Sequence, residues 1–137
     1  MKSRLIALAA ILLAVPVAWA VLVKDDDTAG AGRAIADVRV PTLSAVATAG
    51  QAVFDANCAA CHGDNAAGRD GAGPPLVHKI YEPNHHSDAA FFLAARQGVR
   101  SHHWPFGNMP PVAGVSDDDV ALIVAYVREL QRANGVF

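Results

Sequence analysis

Cys58-Ala59-Ala60-Cys61-His62 holds both cysteines of this 137-residue chain, and a histidine directly follows the second. Cys-x-x-Cys-His is the attachment signature of a covalently bound haem. The spacing has a chemical reason. Two thiols bond to the haem vinyl groups, and the adjacent imidazole then sits under the iron as its proximal ligand. Residues three and four apart share one helical face, so Cys58, Cys61 and His62 can converge on one flat cofactor.

Other readings of the stretch fit less well. A structural zinc site wants four ligands, usually two such cysteine pairs or one pair with two spaced histidines. No second cysteine pair exists. His85 with His86, or His102 with His103, could complete a site, but adjacent histidines lack the usual spacing. A redox dithiol wants a βαβ surround, and no strand-like run precedes Cys58. A simple disulfide leaves His62 unexplained.

Composition points the same way. The net charge is −2 and no basic patch stands out, which sets nucleic acid aside as a partner. The hydrophobic share of 53% overstates the core, because much of it is alanine or lies near the amino terminus. Alternating β-branched runs are scarce, so the fold class expected is all-α. Residues 48–137 form one small domain, short for a self-sufficient core. A buried haem supplies an apolar body to pack around.

The amino terminus reads as an export segment. Lys2 and Arg4 precede an uncharged run, Leu5–Val23, and Lys24 and three aspartates follow. The run reaches the threshold for a membrane-spanning helix, and the flanking charges keep the amino terminus inside. Residues 1–23 are therefore read as an anchor. The alternative is a cleaved signal peptide, with Ala18-Trp19-Ala20 as a small-x-small site. Both deliver the domain to the outer, periplasmic side of a bacterial cytoplasmic membrane. Residues 24–47, with scattered Gly, Pro, Ala and Thr, read as a flexible tether.

Along the domain, Thr48 can cap a helix that runs through Val53 and Phe54 into the cysteine motif. Residues 64–73 are rich in Gly, Asp and Asn and read as a loop. Ser87 can cap a second helix over Ala89–Gln97, with Phe92, Ala95, Arg96 and Val99 near one side and Gly98 as its stop. Phe91 or Phe92 reads as core, and Arg96 as solvated rather than bound to a haem propionate. The last helix is the clearest. Ser116 caps it, Asp117 to Asp119 sit at its positive end, and Val120, Ile123, Val124, Val127 and Leu130 repeat at helical spacing.

Taken in order, Gly50-x-x-x-Phe54, Cys58-Ala-Ala-Cys61-His62-Gly63, Gly73-Pro74-Pro75-Leu76, Met109-Pro110 and an aromatic on the terminal helix resemble a class I monohaem cytochrome c of the small bacterial type. The resemblance covers residues 48–137. It implies a helical bundle wrapped around one covalent haem, with first and last helices crossing. It implies that the Pro74 carbonyl accepts a hydrogen bond from His62, that Leu76 faces the haem, and that Met109 is the second axial ligand. It implies that Tyr126 packs near Phe54 and Gly50, where two close helices need a small contact residue.

The resemblance also implies a one-electron carrier with redox-protein donor and acceptor, docking through a small, partly apolar patch. The alternatives are a haem domain with a labile sixth ligand, serving gas sensing or peroxidase chemistry, and a cytochrome subunit of a larger oxidoreductase. Five histidines stay unassigned: His78, His85, His86, His102 and His103. They read as surface residues, as a second metal site at His85, His86, His102 and His103, or as replacements for Met109 on iron.

Overall fold

Ser44 opens the first helix among the described residues, 32–137, of the computed structural model. Residues 1–23 and the first part of the expected tether lie outside the described residues. Among the described residues no helix is long and apolar enough to cross a membrane. The described residues form four helices, α1 (Ala45–Asn57), α2 (Ala59–His62), α3 (Asp88–Gln97) and α4 (Asp117–Ala133), with 3₁₀ turns at Asp64–Ala66 and Lys79–Tyr81. The described residues contain no strand, only two isolated bridges, Arg69 with Gly73 and Val99 with Met109. The all-α expectation holds for them.

The cap of α1 is Ser44, four residues before Thr48. The Ser44 hydroxyl accepts from the Ala47 amide at 3.2 Å and donates to Glu129 Oε1 at 2.6 Å. Thr48 lies one turn in and donates back to the Ser44 carbonyl at 2.9 Å. Both residues are competent caps. Glu129, reaching across from α4, favours Ser44.

The tether expected over residues 24–47 is corrected in its described part. Gly32 N donates to the Asp70 carbonyl at 2.9 Å, and Ile35 N and Ala36 N both donate to the Ala67 carbonyl. Arg39 and Asn134 exchange bonds, Arg39 N to Asn134 Oδ1 at 2.9 Å and Asn134 Nδ2 to the Arg39 carbonyl at 2.8 Å. Val38 and Leu43 pack on the core. This strap satisfies its backbone groups on loop carbonyls and a helix end, as chain close to a core must.

α1 and α4 cross in the centre. Phe54 and Tyr126 are fully buried there, ring centroids 5.6 Å apart and tilted by 59°. Each such ring contributes roughly 1.5–3 kcal/mol through burial. A Cβ on Gly50 would collide with the Leu122 carbonyl and stand 3.0 Å from Tyr126 Cβ. The close crossing therefore needs glycine at this position, as expected. α4 buries Val120, Ile123, Val124, Val127 and Leu130. Ser116 and Asp119 form a reciprocal capping box at its start, which satisfies two orphan amides.

α4 also buries Arg128 and Gln131. Arg128 donates to Asp88 Oδ1 (2.8 Å), the Tyr81 carbonyl (2.8 Å), the His86 carbonyl (2.6 Å) and Gln131 Oε1 (2.6 Å). Gln131 donates to the carbonyls of Leu76 and Tyr81. The guanidinium lies 5.1 Å from the Phe91 ring centre. Two polar side chains thus clamp the irregular 76–86 segment, which has few backbone bonds of its own, onto the last helix.

Candidate cofactor site

Cys58 is the hinge between α1 and α2. Its amide donates to the Phe54 carbonyl at 2.7 Å, and its carbonyl accepts from His62 N at 2.9 Å. One helical turn therefore holds Cys58, Cys61 and His62. Neither cysteine is paired in a disulfide; Cys58 is half-buried and Cys61 exposed. Burial, then the neighbouring Cys61, pushes the Cys58 thiol up to about 11.

His62 Nδ1 lies 2.9 Å from the Pro74 carbonyl oxygen. That oxygen can only accept, so Nδ1 carries the proton and Nε2 presents its lone pair. Burial lowers the pKa of the imidazole, and the Pro74 bond works in the opposite direction. A bond of this kind fixes the ring and raises its basicity toward a metal.

His62 lines a cleft of about 610 Å³ together with Cys58, Cys61, Pro74, Leu76 and Met109. Every residue expected at the site from the sequence is brought to this one cavity. Met109 reaches it from a separate segment. Val99 and Met109 exchange both backbone hydrogen bonds at 2.9 Å, and Val112 N donates to the Ala95 carbonyl at 2.8 Å. The methionine loop is thereby pinned to the end of α3.

The α3 face differs from expectation. Phe91, Ala94 and Ala95 line the cleft, whereas Phe92 does not. Phe91 also packs on the core cluster. Arg96 is exposed and forks onto Asp117, with Nε 2.8 Å from Oδ1, so it is held by α4 at the surface.

Trp104 was not foreseen. Its indole nitrogen is buried in the cleft region with no hydrogen-bond partner. The Tyr81 hydroxyl is close enough that Trp104 partly offsets the burial that raises the Tyr81 pKa, but the two do not meet in hydrogen-bond geometry. A buried N–H left alone costs about 1–3 kcal/mol. A carboxylate-bearing ligand in the cleft would satisfy it. Arg128 was missed as well, although its spacing of four from Val124 and three from Gln131 continues the buried stripe of α4.

The histidines cluster at the mouth of the same region. His85 Nε2 and His103 Nε2 are 3.3 Å apart, and His86 Nδ1 is 2.6 Å from the Ile80 carbonyl. His102 and His103 rings lie 4.1 Å apart, and His86, His102 and His103 border the cleft. His103 titrates below its usual range, through loss of hydration first and then the neighbouring His102, His86 and His85. His78 stands apart; it caps the turn at Ile80 and packs edge-on to Trp104, 5.1 Å between centres.

The cytochrome c family profile matches residues 47–131. An all-α chain with a haem-binding motif on one helical turn, opening into an apolar cleft, defines a haem protein of the electron-transfer class. The chain belongs to the cytochrome c family. Membership brings a covalently bound haem c, and the family is one of electron-transfer proteins. No curated protein matches the chain. The residues present fit the group: two thiols, an imidazole with its outer nitrogen occupied, an apolar cleft, and an unpartnered indole N–H suited to a propionate.

Proposed function

We propose that this chain is a monohaem one-electron carrier with His62 and Met109 as axial ligands. Cys58 and Cys61 form the thioether links. The supporting observation is that His62, its Nδ1 held by Pro74 at 2.9 Å, and Met109, pinned through Val99, border one cleft from two separate segments. When bound, the iron supplies a ferrous–ferric couple, and a thioether ligand raises the potential of that couple relative to two imidazoles.

The chain's own residues do the rest. Pro74 holds the imidazole of His62 in one orientation. Leu76 and Phe91 exclude water from the cleft. Trp104 offers its N–H to a propionate. The bridge at Val99 keeps Met109 in place, and rigid ligation keeps the reorganisation between oxidation states small. With His62 and Met109 both holding the iron, no position would stay open for a substrate.

The uncharged Leu5–Val23 run, with basic residues before it and acidic ones after it, supports delivery to the periplasmic face of a bacterial membrane. Either retention as an anchor or cleavage after export satisfies this. Donor and acceptor would be redox proteins that dock at the exposed rim of the cleft, where Leu93 is 52% exposed.

One observation favours a second reading. His102 and His103 border the same cleft as Met109, so a histidine could replace the thioether and leave a labile sixth ligand. The test for both is the optical spectrum of the purified haem protein. A far-red methionine–iron band in the ferric form supports the carrier. A bis-histidine or five-coordinate spectrum, or ready carbon monoxide binding by the ferrous form, supports the second reading.

A further inference from the structure

Three imidazoles from two loops meet outside the haem ligand set. His85 and His86 come from the segment between the Lys79–Tyr81 turn and α3, and His103 comes from the loop that leads to Met109. One ring nitrogen from each lies within 4.8 Å of the others. His85 and His103 are exposed and His86 is half-buried, so an ion could enter from solvent.

The geometry points to a three-histidine transition-metal site at His85, His86 and His103, with zinc as the fitting ion. The His85 Nε2 to His103 Nε2 distance is 3.3 Å. A tetrahedral ion with metal–nitrogen bonds of about 2.0–2.1 Å separates its ligand atoms by about 3.3 Å. Neighbouring ligands of a square-planar ion would stand about 2.8–2.9 Å apart. The observed pair stands at the tetrahedral separation, and the third nitrogen lies within 4.8 Å of both.

His86 is oriented in advance. Its Nδ1 sits 2.6 Å from the Ile80 carbonyl, which can only accept. Nδ1 is therefore protonated and Nε2 is free to bind, the arrangement typical of ligating histidines. Its own carbonyl accepts from buried Arg128 at 2.6 Å, which fixes the backbone. His103 sits on a loop braced by Ser101, whose amide donates to Asn108 Oδ1 at 2.9 Å and whose hydroxyl donates to the Trp104 carbonyl at 2.6 Å. Three imidazoles leave a fourth position for water. His102 is not needed: its Nδ1 donates to the Arg100 carbonyl, and its ring centre is 6.1 Å from that of His86.

An ion there would staple the 78–87 segment to the loop that bears Met109. The site shares no residue with Cys58, Cys61, His62 and Met109, so it and the His62–Met109 reading fail separately. The experiment is calorimetric titration of Zn²⁺ into the chelator-treated haem protein, alongside His85→Ala, His103→Ala and the double variant. The expected result is one Zn²⁺ per chain, with affinity falling by at least about 10–100-fold in each single variant. A far-ultraviolet circular dichroism spectrum and thermal midpoint matching the parent certify each variant as folded. Zinc-edge absorption spectroscopy should show three imidazoles at about 2.0–2.1 Å. The proposal is overturned if the double variant binds Zn²⁺ as tightly as the parent. It is equally overturned if the parent binds none, or if only Cu²⁺ binds with a square-planar signature.

Discussion

Val99 and Met109 face each other across a two-bond antiparallel bridge, each amide 2.9 Å from the other's carbonyl. This pair is what places Met109 at the cleft. Gly98, just before it, has φ +73° and ψ −178°, a region open essentially to glycine alone. A Cβ there would run into the Met109 carbonyl. Gly98→Ala should therefore cost about 1–3 kcal/mol. The methionine–iron band should weaken at denaturant concentrations where the helices remain intact. Parallel denaturation curves read by far-red absorbance and by circular dichroism check this; coincident curves would contradict it.

The crossing of α1 and α4 predicts a different failure. Gly50→Ala forces a methyl group into the Leu122 backbone, which cannot rotate away. Overpacking of this kind costs about 1–3 kcal/mol. In a domain of this size that lowers the Tm by roughly 4–8 °C per kcal/mol. The loss should be global, with helix content and haem environment melting together in one transition.

Arg128→Met should destabilise more than its small exposed area suggests. It strands the His86 carbonyl and the Gln131 amide oxygen, and leaves the Tyr81 carbonyl with its bond from Gln131 alone. Unpaired buried groups cost about 1–3 kcal/mol each, so a total near 3 kcal/mol or above is expected from urea unfolding. Arg128→Lys keeps the charge but not the planar fork, so it should recover only part.

Acid should destabilise the fold partly through Glu129. Ser44 donates its hydroxyl and its amide to this carboxylate and holds its pKa below the ordinary range, with Arg132 adding in the same sense. A folded-state pKa below the unfolded one gives stability that is present above roughly pH 4 and is lost as pH falls through the folded value. Ser44→Ala should flatten this part of the stability–pH curve, besides losing the helix cap. Urea midpoints between pH 3 and pH 6, on the order of that range, compare the two proteins; an unchanged slope would refute the assignment.

How much of this was legible in the sequence varies with the range of the interaction. The Cys58–His62 turn and the Val120–Leu130 stripe are local patterns, and both stand where the spacing places them. Gly50 could be anticipated because a close helix crossing has one steric demand. The strap over residues 32–43 was read as flexible because its bonds go to Ala67, Asp70 and Asn134, contacts that no local periodicity reports. Arg128 drew no reading from the sequence because its value depends on carbonyls some forty residues away. The histidines were visible as two pairs. Their meeting depends on how two loops fold, and so His85 with His103 could not be told from His102 with His103.

The central claim is that His62 and Met109 share one iron, and the optical spectrum of the ferric protein beside Met109→Ala tests it most directly. The account predicts a far-red methionine–iron band in the parent, its loss in Met109→Ala, and haem still covalently attached in both. A parent spectrum without that band, or a band that survives in Met109→Ala, would contradict the account.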